Sequence, residues 1–366
     1  MRLHAQMIIF RYLVREVLLV LLAIVAILLI IVLVSQLSDF LARIASGTLP
    51  LLFLGKLLLI SIPILLGLFL PFAFYLALLL GYSRLYAESE MVVLQASGFS
   101  EHRLLLNSFI LALFITALTG YLVLSLGPTL VKERGKILSN GANNVLQTVI
   151  PGRFKVLNEG QQIIYIEQLS RDRQQITNVF TAQLTQLDPT TKQEVWDVSF
   201  APQGRQVTQT DGNQYLQLQH GYHYQGVAGQ QNYAVYKNEQ YSVLLPRITI
   251  SGPYTRLDGM SSWELWQGRG NVLELAEFEW RVSLTLQVLI LMILAIPLSR
   301  VKPRQGRYAK FLPAILIYLV YVNLMFVARY LLEKGMVLPV VGLWWVHLLI
   351  LLVALGLYFE FRVPRR

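Results

Sequence analysis

The 366-residue sequence contains no cysteine, which excludes disulfide staples, thiol nucleophiles and Cys-ligated zinc and leaves the redox compartment open. Charge is scarce too: Asp, Glu, Lys and Arg occupy 14% of positions, against about a quarter in ordinary soluble chains. No Gly-rich loop closes on Gly-Lys-Ser/Thr, so the chain has no P-loop with which to hydrolyse nucleotide by itself. Neither His-Glu-x-x-His nor Gly-x-Ser-x-Gly occurs, which removes the most recognisable metalloprotease and serine-hydrolase patterns. Of the five histidines, His220 and His223 stand three apart in an alternating segment and fall on opposite faces of a strand, ordinary strand residues rather than metal ligands. Catalytic residues, a metal site and a bound cofactor are therefore not expected.

What the sequence has is apolar length. Hydrophobic residues make up 55% of it and mean hydropathy is +0.53. Runs long enough to cross about 30 Å of hydrocarbon as helices recur at both ends. They cover Val17 to Val34, a block from Leu49 to Leu80, Leu104 to Leu126, Val282 to Leu298, Phe311 to Ala328, and Val337 to Phe359. The first follows a basic start like that of a signal peptide, but no small-x-small cleavage site follows it, so it is read as a retained helix. Lys56, Pro63 and Pro71 make the second either one tilted, kinked helix or an interfacial turn leading into a span from Ile60. Gly127 and Pro128 are expected to end the third.

Between the third and fourth runs the composition turns polar. Three helices, one inserted domain and three more helices make a polytopic α-helical membrane protein. Thirteen Lys and Arg of the short connections fall on the side of both termini, against Arg43, Arg329 and Lys334 opposite. By the positive-inside rule the termini face the cytosol and the inserted domain lies across the membrane. The same rule accounts for the net charge of +10 without nucleic acid. Within the inserted domain, Leu216 to Tyr224 alternates with period two, one face largely apolar or aromatic. Shorter alternations at Ile163 to Glu167, Val179 to Leu187, Trp196 to Phe200 and Tyr233 to Tyr236 are separated by turn signals. A sandwich, a jelly roll and a curved open sheet all fit. The domain boundaries read as 1–130 for helices one to three, 131–258 for the β domain, 259–281 for an amphipathic connection and 282–366 for helices four to six.

Four groups of residues stand out. The connection Gly81 to Gly98 carries a predicted helix from Leu85 to Ala96, on which Leu85, Val92 and Ala96 form a roughly heptad-spaced stripe with Glu88 beside it. An apolar anchor plus a carboxylate suits docking against a partner arginine; a surface helix with solvated carboxylates is the simpler alternative. The basic loop Pro303-Arg304-Gln305-Gly306-Arg307 can turn at Gly306 and grip phosphate or acidic groups through Arg304 and Arg307, or serve only as an inside-positive anchor. Arg11 and Arg15 share a helical face before the first span and can neutralise lipid phosphate, pair between helices or snorkel. Arg43 and Arg329 fall near the outer interface, where forked hydrogen bonds suit the headgroup of an anionic glycolipid. Arg281, beside Glu277 and Glu279, reads as a third headgroup contact or as half of an internal pair.

Four strings carry a resemblance: Ile9-Phe10-Arg11-Tyr12-Leu13-Val14-Arg15-Glu16, Leu85-Tyr86-Ala87-Glu88-Ser89-Glu90 with Ala96-Ser97-Gly98, Glu279-Trp280-Arg281-Val282-Ser283, and Ile296-Pro297-Leu298-Ser299 with Pro303-Arg304-Gln305-Gly306-Arg307. With the three-plus-three layout they resemble the LptF/LptG family over essentially the full length, closer to its LptF branch. The resemblance implies a permease subunit of the lipopolysaccharide exporter in the inner membrane of a Gram-negative bacterium, with six transmembrane helices and a periplasmic β-jellyroll. It implies as partners an LptG-like permease, two LptB-like ATPases that use ATP and Mg, and an LptC-like subunit. Glu88 would enter the groove of the ATPase, and helices one and five would border the lipid cavity. Two other classes of function remain beside it, a membrane-anchored envelope scaffold and an ion-driven lipid transporter, though the spans hold few acidic residues for a proton relay.

Overall fold

A computed structural model describes residues 2–45, 49–143, 149–157, 160–170, 175–187, 194–208, 214–231, 233–245, 257–301 and 310–360. The chain divides into two compact units. One comprises Met1–Gln36, Leu58–Glu133 and Tyr254–Arg366, the other Leu37–Leu57 and Arg134–Pro253.

The first unit is helical, because in hydrocarbon a backbone must satisfy its own polar groups and the apolar runs are long enough to do so as helices. α1 (Arg2–Ala45) extends well past the run that identifies it. Ahead of α2, Pro50 leads into a short 3-10 turn, Leu51–Phe53, and α2 (Leu54–Ala87) then continues through Pro63 and Pro71. The structure thus combines the turn and the long helix that the sequence offered as alternatives. α3 (Glu90–Ala96) is short, and α4 (Glu101–Gly120) opens on the Ser100 side chain, which accepts from the Arg103 N–H.

The expected stop at Gly127-Pro128 does not occur. α4 widens into a π turn at Tyr121–Leu126 and continues as α5 (Gly127–Asn143). The Gly127 N–H donates to the carbonyl of Leu122, five residues back, and this wide turn admits the Pro128 ring without the clash it would make in an α-turn. A Cβ on Gly127 would stand 2.8 Å from the Leu122 oxygen, so glycine is required there. Pro128 has no N–H to give Leu124; Ser262 Oγ donates to that carbonyl instead, at 2.6 Å.

α6 (Ser262–Gln267) begins with a capping box between Ser261 and Glu264, two reciprocal bonds that satisfy first-turn donors. α7 (Val272–Leu298) starts at the Asn271 cap and runs unbroken through the expected boundary at residue 281. It is the most buried of the long apolar helices and packs against α4, α8 (Phe311–Glu333) and α9 (Trp344–Glu360). Among the described residues, five helices are long and apolar enough to cross a membrane. α9 is shorter than the run that predicted it, because Pro339 and Gly342, at φ +36°, hold 339–343 as turns. Its 17 residues span about 25 Å at 1.5 Å per residue.

Part of the second unit is one antiparallel sheet in sequential order, β1 (Phe154–Leu157), β2 (Gln162–Leu169), β3 (Gln175–Leu187), β4 (Glu194–Thr208), β5 (Gln214–Val227) and β6 (Tyr233–Leu244). Each alternating segment of the sequence lies in one of these strands. Ile164, Ile166, Val179, Ala201, Leu216 and Leu218 meet on one face as its buried core. The alternation changes phase midway. On β5 Leu216 and Leu218 are buried, but so are Gly221 and His223, while Tyr222 and Tyr224 are exposed. His220 at φ +55° makes the change, and Asn178 at φ +50° makes the matching one on β3, between buried Ile176 and Val179. Residue pairing continues unshifted across both points. The aromatic face expected of Leu216 to Tyr224 is therefore split between the two sides of the sheet.

Candidate functional site

The sequence-predicted helix from Leu85 to Ala96 is an elbow. α2 ends at Ala87, Ser89 takes a left-handed conformation at φ +61°, and α3 starts at Glu90. Leu85 and Met91 are fully buried within the chain, while Val92 and Val93 are 50% and 66% exposed. The break separates Leu85 from the stripe proposed for it: Leu85 anchors the elbow from inside, and Val92 faces out. Glu88 stands on the outer side, its side chain half exposed and 3.6 Å from Arg84. Arg84 Nη1 pairs with Glu16 of α1 at 2.9 Å, and the Tyr12 hydroxyl donates to Glu90 Oε2. α1 is thus fastened to both arms of the elbow. Arg300, after α7, pairs with Glu101 at 2.7 Å. Lys310 Nζ donates to the Pro297 carbonyl at 3.5 Å, and burial, then the neighbouring Arg300, lowers its pKa. Arg304, Gly306 and Arg307 of the basic loop lie outside the described residues.

The second constellation gathers around Glu277. Arg281 Nε donates to Glu277 Oε1 at 2.8 Å, Nη1 donates to the Met260 carbonyl at 2.8 Å and to Ser262 Oγ at 3.3 Å, and Nη2 donates to the carbonyls of Leu257 and Asp258 at 2.9 and 3.0 Å. These use all five N–H groups of a guanidinium, so the structure shows Arg281 in an internal pair. Arg329 Nη2 is in ion contact with Glu277 Oε2 at 2.9 Å without hydrogen-bond alignment, and its Nε donates to Glu333 at 2.8 Å. Its guanidinium also lies 5.2 Å from the Trp280 ring centre. The structure therefore joins Arg281 and Arg329 on one carboxylate, and both are engaged within the chain. Arg43 closes α1 in the other unit, half-buried, its carbonyl accepting from the Leu49 N–H at 3.3 Å.

Sequence reasoning gave Glu277 no more than a place beside Arg281, although the four-residue spacings Glu277–Arg281 and Arg329–Glu333 are a legible signal of pairing on a helix. It gave Glu279 the same place and no partner of its own; the Glu279 carboxylate accepts from the Leu343 N–H at 2.9 Å ahead of α9. His347 bridges the Tyr321 hydroxyl and Ser283 Oγ at 2.7 and 2.8 Å, tying three helices together.

On the sheet, His223 Nδ1 shares a hydrogen bond of 3.0 Å with Ser199 Oγ, and Nε2 lies 3.6 Å from Asp197. His220 is exposed on the opposite side. Burial, and secondarily Asp197, pushes the Tyr241 phenol up, and burial lowers the Lys155 ammonium to about 8. Among the described residues no three His, Asp or Glu side chains are grouped to hold a metal ion.

These arrangements comprise helices of membrane-spanning length, a sheet with an apolar core and charged joints. The family "Lipopolysaccharide export system permease LptF/LptG" matches residues 11–359. The chain belongs to the LptF/LptG family. Relatives named "Lipopolysaccharide export system permease protein LptF" from Escherichia coli strain K12, Escherichia coli O157:H7 and Shigella flexneri are each 30% identical to it over 361 residues, covering 98% of this chain and 97% of theirs. As a member of the LptF/LptG family, the chain is a transporter subunit rather than a catalytic enzyme.

Proposed function

We propose that the chain is the permease subunit of an ATP-driven exporter that extracts lipopolysaccharide from the bacterial inner membrane and passes it to a periplasmic bridge. The observation that carries the reading is the family match across residues 11–359, which includes both the helices and the inserted sheet. Six helices span the membrane in a three-plus-three arrangement, α9 being the shortest, and the sheet belongs to a periplasmic domain of the jellyroll type. Both termini face the cytosol, in keeping with the basic connections. The partners are an LptG-like permease, an LptC-like subunit and two LptB-like ATPases.

ATP hydrolysis occurs in the partner, since this sequence has no P-loop. Force enters at the elbow, where the exposed Glu88 and Val92 are the residues to enter an ATPase groove, and passes to α1 through Arg84–Glu16 and Tyr12–Glu90. α1 and α8 border the lipid cavity. Extraction must offset about 0.8 kcal/mol for each CH₂ moved out of apolar surroundings, so the acyl chains need a continuous apolar route; the buried face around Ile164, Val179 and Leu218 supplies its outer section. Arg43 and Arg329 are the remaining candidates for headgroup contact, Arg329 only by exchanging its present carboxylate partners.

Proteoliposomes holding the chain with its three kinds of partner should release lipopolysaccharide on ATP addition, and the same mixture without the chain should not. Equal extraction without the chain refutes the permease reading. Stable assembly without extraction, in an assay active with a known exporter, turns it into a scaffold.

A further inference from the structure

The π turn that carries the chain out of α4 depends on one distant side chain. Pro128 leaves the Leu124 carbonyl without its helical donor, and Ser262 Oγ supplies one at 2.6 Å. The same oxygen accepts from Arg281 Nη1 at 3.3 Å. A guanidinium only donates and a carbonyl only accepts, so the single hydroxyl hydrogen is directed at Leu124 as long as Arg281 occupies the oxygen. Hydrogen bonds in such a chain strengthen one another. Arg281 in turn gives only Nε to Glu277 Oε1, while Glu277 Oε2 has ion contact with Arg329 of α8 but no hydrogen bond. Glu333, Arg329, Glu277, Arg281, Ser262 and Leu124 thus form one unbroken polar line from α8 to the turn that opens α5. Along α5 the chain passes from the first unit to the second, between Glu133 and Arg134.

We propose that this line is a relay in which the pairing of Arg329 with Glu277 sets how firmly the π turn at Tyr121–Leu126 is held. With Arg329 in place, two cations share the charge of Glu277, and Arg281 keeps its Nη groups on Ser262 and on the carbonyls of Leu257, Asp258 and Met260. Without Arg329 the buried Oε2 loses that cation, and the arrangement that satisfies both carboxylate oxygens is a forked pair with Arg281. The guanidinium is planar and rigid. Turning a second donor toward Glu277 therefore draws Nη1 from Ser262, the longest of the five bonds. The Leu124 carbonyl is then held less, at a kind of turn that recurs where helices bend for function. The relay deepens the export reading, on which its part in transport rests: an anionic headgroup that takes Arg329 from Glu277 loosens the segment leading to the inserted domain. Ser262 and Arg281 are positioning residues in this scheme, acting through the turn.

Hydrogen–deuterium exchange of the full chain in nanodiscs, without partners, lipopolysaccharide or ATP, tests the relay apart from the exporter. Arg329→Gln should speed exchange in peptides covering Leu122 to Lys132 about twofold to tenfold, the range expected of one hydrogen bond. Arg329→Lys, which keeps the cation, should not. Ser262→Ala should give the same acceleration, and Ser262→Thr, which keeps the hydroxyl, should retain the protection. Adding Arg329→Gln to Ser262→Ala should change nothing further, because the signal has lost its carrier. Peptides from the Leu298 end of α7 should exchange at the original rate throughout. Unchanged exchange in Ser262→Ala overturns the proposal, as does an undiminished effect of Arg329→Gln in that background or equal acceleration at the Leu298 end. The expected pattern in a chain that does not support extraction would leave the relay standing and the export reading refuted, so the two fail separately.

Discussion

Glu277→Gln tests the charged joint at the head of α7 most directly. The carboxylate lies 2.8 Å from Arg281 Nε and 2.9 Å from Arg329 Nη2, and the Glu277 and Arg281 side chains are only 6% and 4% exposed. The amide keeps the shape and one acceptor but removes the charge and turns an NH₂ toward a guanidinium. Breaking a buried ion pair by removing one partner costs about 3–5 kcal/mol. Because Arg281 keeps four uncharged acceptors, the lower end, about 3 kcal/mol, is expected. The outer arm is different: Arg329 and Glu333 are 24% and 32% exposed, and such a pair is worth about 0.2–1 kcal/mol. Glu277→Gln should therefore destabilise the chain by about 2 kcal/mol more than Glu333→Gln, roughly a 30-fold difference in unfolding equilibrium. Denaturant unfolding in nanodiscs, followed by tryptophan fluorescence, reads the difference, helped by Trp280 beside Arg329. The double variant Glu277→Gln with Arg329→Gln should lose less than the sum of the single variants, since it leaves one fewer uncompensated charge. Equal stability of Glu277→Gln and Glu333→Gln would show that the joint contributes nothing.

Glu88→Ala should change the stability of the isolated chain by less than about 0.5 kcal/mol, because surface substitutions generally do. In the assembled exporter it should lower ATP-driven lipid release at least about tenfold, the scale of losing one buried interfacial charge contact; release at the original rate removes Glu88 from coupling. Gly335→Ala, at φ +68° in open space, should cost about 1–2 kcal/mol of backbone strain. Gly342→Ala should cost about 1–3 kcal/mol more, because its Cβ would occupy the place of the Glu279 carboxylate that holds the Leu343 N–H; thermal midpoints compare the two. Lys155, held at about 8 by burial, should react with an amine acylating reagent half-maximally near that pH, well below surface lysines. Its folded pKa lies under the unfolded one, so the unfolded chain binds more protons in between. Folding is consequently favoured as pH rises from about 8 toward about 10.4, a trend that Lys155→Met should remove.

Apolar run length made the helices legible, since a span must be long and almost uncharged, and period two revealed every alternating segment later found in a strand. Boundaries set by tertiary partners were not legible. Gly127-Pro128 reads locally as a stop, yet a π turn and the distant Ser262 hydroxyl supply what the proline removes. Leu85 to Ala96 reads as one helix because no proline or glycine interrupts it; the break falls on Ser89, a residue with no strong local preference for φ above zero. Arg281 carried two readings because a lone interfacial arginine looks the same whether its donors reach outward or inward. Only the carbonyls of Leu257, Asp258 and Met260 decided between them, and backbone acceptors leave no trace in side-chain sequence.

The phase change at Asn178 and His220 gives one face of the sheet two chemistries. On one side of that line Leu216 and Leu218 point inward, and on the other His223 and Ser199 do beside Val179 and Ala201, although a strand of unbroken alternation would have continued with Tyr222 and Tyr224. The buried face is thus apolar along its whole length, with the Ser199–His223 hydrogen bond set into it on one side of the line only. Two backbone angles thereby decide which side chains the interior of the sheet collects, a choice that strict alternation would have made differently.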